Sequence, residues 1–143
     1  MITDVLIKAF ETAKKRGWDR IFIAIDIHDT MIKANYEANS IPTEFYPYCI
    51  EVLQKLTKRS DIKLILYTCS HPHEIEQYTE LFKSHDIVFD YVNENPEVKT
   101  DLNGYGNYEK KPYFNVLMDD KAGFNPKTAW RTINMIIDHL SLN

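Results

Sequence analysis

The stretch "IFIAIDIHDTMI", residues 21–32, has the features of a buried strand that ends at a charged residue. Five apolar residues precede Asp26, and His28 and Thr30 follow it at alternate positions. An uninterrupted apolar strand is typical of a parallel sheet that is covered on both faces. Because ligands bind at the carboxyl ends of the strands in such sheets, Asp26 and the residues after it are the first candidates for a functional site.

The rest of the chain repeats this pattern of strands and helices. Three further segments have the apolar, β-branched character of strands, namely residues 62–68, 87–92 and 113–120. Apolar residues recur at helical spacing in four segments, residues 3–17, 45–56, 75–82 and 129–140. This alternation predicts an α/β fold, a three-layer, Rossmann-like parallel sheet with helices on both faces. Residues 93–112 show no period and are expected to form a long loop.

The composition favours one soluble domain that spans residues 1–143. Of the 143 residues, 44% are apolar, which is enough for a substantial core. The net charge of −4 argues against an extended nucleic-acid track, and no apolar run is long enough for a membrane span. Cys49 and Cys69 suggest no disulfide framework, and the charged start of the chain does not resemble a signal peptide. A cytoplasmic location is therefore expected.

Polar groups follow the ends of several predicted strands. Asp26 ends the first, Thr68 the second, with Cys69 and Ser70 after it, and Asp119 and Asp120 end the last. If the strands are neighbours, these three carboxylates converge, and they stay ionised together only around a cation. Hard oxygen ligands suit Mg²⁺. Lys110 or Lys111, just before the last strand, and the hydroxyl groups could then contact a phosphoryl group.

The order of these residues resembles the motifs of the haloacid dehalogenase-like superfamily of phosphotransferases. "IAIDIHDT" is similar to its first motif, Asp-x-Asp-x-Thr, and "LILYT" is similar to the strand that carries its second. "KKPY" offers the lysine of the third motif, as Lys111 or Lys110, and "FNVLMDDKAGF" is similar to the fourth. The resemblance covers residues 21 to about 124 and implies a minimal, uncapped phosphatase of this superfamily.

The resemblance also implies roles for individual residues. Asp26 would attack phosphorus to form an aspartyl-phosphate, and Asp26, the backbone carbonyl of His28, Asp119 and Asp120 would hold Mg²⁺. Thr30, Thr68, Cys69, Ser70 and the lysine would bind the substrate phosphate. The departure from the superfamily pattern is His28, which replaces an acid/base Asp. Imidazole, with a pKa of about 6.5, can act as acid and base near neutral pH, or its presence can indicate that hydrolysis is lost.

The substrate is expected to be a phosphorylated small molecule or nucleotide, or a nucleic-acid end. Only about a dozen residues separate Thr30 from Pro42, which leaves room for a flap but not for a cap domain. The cleft should therefore be open, unless a homo-oligomer covers it. Tyrosines in predicted rim loops are compatible with base stacking, although loop tyrosines are common; they are Tyr36, Tyr105 and Tyr108.

Three other classes of protein use similar residues. A receiver-type signalling domain places its acidic pair early, whereas here the pair comes last. A metal-dependent nuclease would need a basic stripe that the sequence lacks. A catalytically impaired phosphate-binding module is the alternative that His28 motivates. Outside these motifs, Trp18 and Trp130 are expected to be packing residues, and His71 and His73 to cap a helix rather than bind metal. Cys69, which follows Thr68, is expected to be small and buried rather than nucleophilic.

Overall fold

The computed structural model describes residues 1–143, and the chain alternates between helices and short parallel strands. In chain order the helices are α1 (Ile2–Arg16), α2 (Cys49–Thr57), α3 (Pro72–Lys83) and α4 (Ala129–Ile136). The strands are β1 (Ile21–Ile25), β2 (Ile62–Leu66), β3 (Tyr91–Val92) and β4 (Val116–Met118). Short 3₁₀ turns follow β4 at Asp120–Ala122 and α4 at Ile137–His139. None of the helices is long and apolar enough to cross a bilayer.

All four strands are parallel and lie in the order β3-β2-β1-β4. Strand β1 is central and fully buried, as its apolar sequence predicts. It pairs with β2 from Ile21 opposite Ile62 to Ile25 opposite Leu66, and with β4 up to Ile25 opposite Met118. This register places the carboxyl ends of β1, β2 and β4 side by side. The predicted parallel α/β fold is confirmed.

The main core lies on one face of the sheet. Alternate residues of β1, namely Ile21, Ile23 and Ile25, belong to it because side chains in a strand alternate between the two faces. Every helix contributes its buried side chains to this same core, among them Phe10 of α1, Leu53 of α2, Tyr78 and Phe82 of α3, and Trp130 of α4. The four helices therefore pack on a single face.

The other face of the sheet is covered without a helix. Phe22, Ala24 and Ile65 point to this face and pack against side chains of the segment 93–115, namely Val98, Tyr113 and Phe114. The expectation of helices on both faces was therefore wrong. The chain moves from β1 through β2 to β3 and then back across β1 to β4, so a right-handed connection from β3 to β4 must cross the opposite face. Here that connection is the long aperiodic loop, and alternation alone could not show it.

Several predicted element boundaries differ from the structure; for example, α2 begins at Cys49 rather than at residue 45, and β4 covers only Val116–Met118 of the predicted 113–120. The segment 87–92 forms only a two-residue strand, since regular pairing with β2 is limited to Tyr91 and Val92, although Asp90 N donates to Leu64 O at 2.9 Å. The last helix begins at Ala129 rather than directly after Asn125-Pro126. Asn125 instead starts a turn, in which its side chain accepts a hydrogen bond from Lys127 N and its carbonyl accepts one from Ala129 N.

Candidate functional site at the carboxyl edge of the sheet

Three carboxylates meet where β1 and β4 end. Asp26 directly follows β1, and Asp119 and Asp120 directly follow β4. One oxygen from each of the three lies within 4.8 Å of the others. The Asp26 N–H donates to Met118 O at 2.9 Å, which continues the pairing of the two strands by one residue and fixes this approach. The chain has no other cluster of three or more His, Cys, Asp or Glu side chains with this spacing.

The Thr30 side chain is hydrogen-bonded to two of the three acidic residues, Asp26 and Asp120. This side chain is fully buried, and its Oγ1 accepts a hydrogen bond from Asp120 N at 3.0 Å. The same hydroxyl lies 3.3 Å from Asp26 Oδ2 and 3.3 Å from Asp120 Oδ1, and its single hydrogen can be donated to either. Trp130 Nε1 donates to Thr30 O at 2.8 Å and anchors this turn to α4. Thr30 thus positions the acidic groups and does not line the cavities described below.

The loop after β4 presents both of its acidic residues by a simple local mechanism. Asp119 has an extended backbone, and its side chain accepts a hydrogen bond from Lys121 N at 2.9 Å, so it caps the 3₁₀ turn. Gly123, with φ 96, ends that turn in the left-handed region, where glycine is favoured. The sequence "DDKAG" therefore encodes a tight turn that holds two carboxylates at one strand end.

Asp26 has a perturbed acidity. Burial, together with the negative charges of Asp119 and Asp120, raises the pKa of Asp26 from 3.8 to about 6, against the opposing hydrogen bonds from Ile27 N and Thr30. Like charges in a partly desolvated site disfavour each other, and a cation between them removes this cost. The donor set consists of hard oxygen atoms only, which fits Mg²⁺. In addition, the carbonyl oxygen of His28 accepts no backbone hydrogen bond.

Thr68 is held rigidly at the end of β2. The side-chain oxygen of Asn93 accepts from Thr68 N at 2.8 Å, and Asn93 Nδ2 donates to Thr68 O at 2.8 Å. Asn93 itself has φ 53, a left-handed conformation that asparagine tolerates better than most residues. The hydroxyls of Thr68 and Ser70 are 2.8 Å apart, and Thr68 Oγ1 also accepts from Ser70 N. The sequence reading missed Asn93, because its role depends on contact with a distant strand.

Two cavities meet at Asp26. The first, of about 370 Å³, lies on the Thr68 side and is lined by Asp26, Tyr67, Thr68, Cys69, Asn93, Asp119 and Lys121. The second, of about 340 Å³, extends from Asp26, Asp120 and Lys121 past His28 and Tyr78 to residues 34–42. Cys69 lines both cavities and is exposed, so the expectation that it is buried was wrong. It follows the strand end, where the chain has already left the core.

The lysine beside the carboxylates is Lys121, which lines both cavities. Neither candidate lysine from the sequence lines them. The Lys111 ammonium lies over the Phe114 ring, 5.7 Å from its centre, and Lys110 lines a neighbouring cavity with Asn93 and Tyr108. Lys121 directly follows the acidic pair in the sequence and could have been found there, but the resemblance points only to a lysine upstream of the last strand.

His28 points to α3. Its Nε2 lies 2.6 Å from the hydroxyl of Tyr78, which is fully buried in the core. The two rings meet edge to face, with centres 5.6 Å apart. Tyr78 was not singled out in the sequence because it occupies an ordinary apolar position of an amphipathic helix. The contact places His28 at the wall of the second cavity.

A short hairpin forms the outer wall of the second cavity. Lys33 N donates to Glu44 O and Tyr46 N donates to Met31 O, so the two ends of the segment pair as antiparallel strands. The loop between them is held by Asp29, which accepts from Ala34 N at 3.1 Å. Tyr36, at its tip, is 91% exposed. The hairpin therefore lines one side of the second cavity, and its exposed tip does not close the cavity off from solvent.

The remaining singled-out side chains lie outside the carboxylate cluster. Tyr105 is fully exposed, and Tyr108 packs edge to face on Tyr113 on the helix-free face of the sheet. His71 is the N-cap of α3, and its ring stacks on that of His73, but the two do not belong to a cluster of three metal-binding groups within 4.8 Å of one another. Trp130 is fully buried, and Trp18 packs at the border of the core.

The fold and the site together define an α/β protein with one parallel sheet and an acidic crevice at its carboxyl edge. Comparison of the sequence with protein families and with curated proteins finds no match. Among solved structures, a conserved protein from Bacteroides thetaiotaomicron is similar to it, with a TM-score of 0.61 and 21% sequence identity. The match covers 84% of this chain and 91% of that one. At this identity the likeness concerns the fold.

Proposed function

We propose that the protein is a Mg²⁺-dependent phosphohydrolase that acts on a phosphate monoester through an aspartyl-phosphate. The observation that carries the proposal is the convergence of Asp26, Asp119 and Asp120 within 4.8 Å at the mouth of an open cavity. The resemblance of the motifs to the haloacid dehalogenase-like superfamily supports the same reaction. A nucleotide, a nucleic-acid end or another small phosphate ester would be the substrate.

Asp26 is the nucleophile in this proposal. Its carboxylate oxygen forms a bond to phosphorus while the bond from phosphorus to the ester oxygen breaks, and the leaving alkoxide takes a proton from water in the open cavity and departs as the alcohol. Water then attacks the aspartyl-phosphate and releases inorganic phosphate. Asp26, Asp119, Asp120 and the carbonyl of His28 would hold the Mg²⁺ ion. When bound, the ion neutralises negative charge and orients the phosphate.

The phosphate oxygens would be bound on the Thr68 side of Asp26. The Thr68 hydroxyl and the ammonium of Lys121 line this cavity, and both can donate to oxygens on which charge builds in the transition state. Asn93 holds the backbone of Thr68 in place through its two hydrogen bonds. The resemblance still makes Lys111 and Lys110 candidates for binding the phosphate. Mutation of each of the three lysines would show which one contributes most to turnover. The leaving alcohol would occupy the cavity beside His28.

The proposal is tested by phosphatase turnover of purified protein. Wild type with Mg²⁺ should hydrolyse an aryl phosphate, and Asp26→Asn should abolish release of phosphate. The matched control is Asp86→Asn, since Asp86 is exposed and has no side-chain hydrogen bond and a backbone φ of 61, which asparagine tolerates. A phosphorylated Asp26 peptide, detected by mass spectrometry and removed by hydroxylamine, would support the covalent route. Equal turnover for Asp26→Asn and wild type would refute it.

The alternative function is a phosphate-binding module with impaired hydrolysis. The observation that favours it is His28, which stands where the superfamily has an acid/base Asp and is hydrogen-bonded to Tyr78. In that case the protein would bind beryllium fluoride with Mg²⁺ at Asp26 but show no turnover. His28→Asp separates the two functions. A gain of turnover would favour the impaired module, whereas no turnover for wild type and for His28→Asp would sink the phosphatase proposal.

A further inference from the structure

The pairing of His28 with Tyr78 carries information about the proton on the imidazole. Tyr78 is fully buried, and the one hydrogen-bond partner of its hydroxyl is Nε2 of His28, at 2.6 Å. Two pairings are chemically conceivable. Either the hydroxyl donates to an unprotonated Nε2, or a protonated Nε2 donates to the hydroxyl oxygen.

Burial selects between the two pairings. If Nε2 were the donor, the hydroxyl hydrogen of Tyr78 would be left unpaired inside the core, which is unfavourable. Asn134 Oδ1 is the one buried side-chain N or O atom without a hydrogen-bond partner in the structure, so an unpaired Tyr78 hydroxyl hydrogen would be an exception in this molecule. Burial and the charge of Glu74 also raise the pKa of Tyr78 to about 12, which keeps its hydroxyl protonated and able to donate.

The other ring nitrogen is open to solvent. Nδ1 of His28 has no protein hydrogen-bond partner, and it is not among the buried unpaired atoms, so water reaches it. His28 lines the cavity that begins at Asp26, and neutral imidazole carries one proton. With Nε2 occupied as acceptor, that proton is on Nδ1.

We infer that Tyr78 is a positioning residue that holds neutral His28 as its Nδ1–H tautomer, so that the side chain offers a hydrogen-bond donor to a ligand in the cavity. The ring therefore contributes a donor to an ester or phosphate oxygen, and it does not offer a lone pair that could accept a proton from water. The catalytic consequence rests on the proposed function, whereas the tautomer does not.

The tautomer is measured directly by NMR. Two-bond ¹H–¹⁵N correlations of the ¹⁵N-histidine-labelled protein are recorded over a pH series, and the tautomer is assigned from the high-pH spectrum that no longer changes as the pH is raised. The His28 signal is identified by its loss in His28→Gln. We expect mainly the Nδ1–H pattern in wild type and a shift toward the Nε2–H pattern in Tyr78→Phe, which removes only the hydroxyl. A wild-type spectrum of the Nε2–H form, or no change in a folded Tyr78→Phe, would overturn the inference.

A second measurement separates this inference from the proposed function. If the protein hydrolyses phosphate esters, Tyr78→Phe should lower kcat about 10-fold with little change in KM, because the donor is no longer held in place. Unchanged kcat in a variant whose tautomer has shifted would contradict the positioning role. An Nδ1–H tautomer in a protein without turnover would leave the tautomer assignment intact and refute the phosphatase proposal alone. If Tyr78→Phe does not fold, the wild-type spectrum alone still shows whether His28 is the Nδ1–H or the Nε2–H tautomer.

Discussion

Replacement of Asp26 by asparagine should make the metal-free protein more stable at neutral pH. Burial, together with the negative charges of Asp119 and Asp120, raises the pKa of Asp26 from 3.8 to about 6, so the folded state disfavours its ionised form. A shift of about two units corresponds to roughly 3 kcal/mol at 1.36 kcal/mol per unit. Because the side chain is partly exposed, screening by water reduces the expected gain to about 1–2 kcal/mol.

The sign of the pH dependence follows from the direction of this shift. A carboxyl group whose pKa is raised in the folded state does not lower the free energy of unfolding at pH values below its unfolded pKa. For Asp26 the loss of stability grows between about pH 4 and pH 6 and stays constant at higher pH. The gain from Asp26→Asn should therefore be full at pH 7.5 and less than half as large at pH 4.5.

Urea unfolding in the presence of a chelator measures this gain, with Asp86→Asn as the surface control. Added Mg²⁺ should reverse the order at pH 7.5, since it stabilises the wild type by mass action and binds the variant less tightly. A variant that is no more stable than wild type without metal, or one whose gain does not depend on pH, would refute the electrostatic account of the site.

The other predictions concern side chains around the carboxylates. Thr30→Val should destabilise the protein by about 1–3 kcal/mol, because it leaves the partly buried N–H of Asp120 unpaired. Thr30→Ser should retain most of that stability in the same urea titration. Lys121→Met should lower kcat/KM for an aryl phosphate much more than Lys111→Met, and the reverse order would support the sequence-based lysine. Asn93→Ala should cost about 2–4 kcal/mol through two lost hydrogen bonds and a strained backbone, whereas Asn93→Gly should cost less because glycine tolerates φ 53.

The sequence predicted those parts of the fold that depend on local pattern. The apolar run of β1 and the helical spacing of α1 to α3 each report the environment of their own residues, and they placed these elements to within a few positions. The layer arrangement is not local. The segment 93–115 covers one sheet face with Val98, Tyr113 and Phe114, and these residues follow no regular period in the sequence that would reveal a helix-free connection packed there.

The residues of the site likewise fall into those that the sequence predicts and those that it does not. Asp26, Asp119 and Asp120 could be predicted as neighbours, because the carboxyl ends of parallel strands share one edge of the sheet. Two of the residues that were missed, Asn93 and Tyr78, act through hydrogen bonds with distant parts of the chain. Asn93 reaches Thr68 across 25 residues and Tyr78 reaches His28 across 50, and neither has a sequence pattern that differs from that of an ordinary loop or helix residue.

The position of the acidic crevice follows from the order of the strands. The chain fills one side of β1 with β2 and β3 and then returns to its other side with β4, so the strand order reverses beside β1. Parallel sheets bind ligands at such a reversal, outside the carboxyl ends of the two strands concerned. Asp26 and Asp119 follow these two strands directly, which is the reason that residues 93 positions apart can share one ion. Shortening the connection within residues 96–112, which keeps Asn93 and its hydrogen bonds to Thr68, should therefore disturb the crevice only if it displaces β4, since this part of the connection packs against the opposite face through Val98.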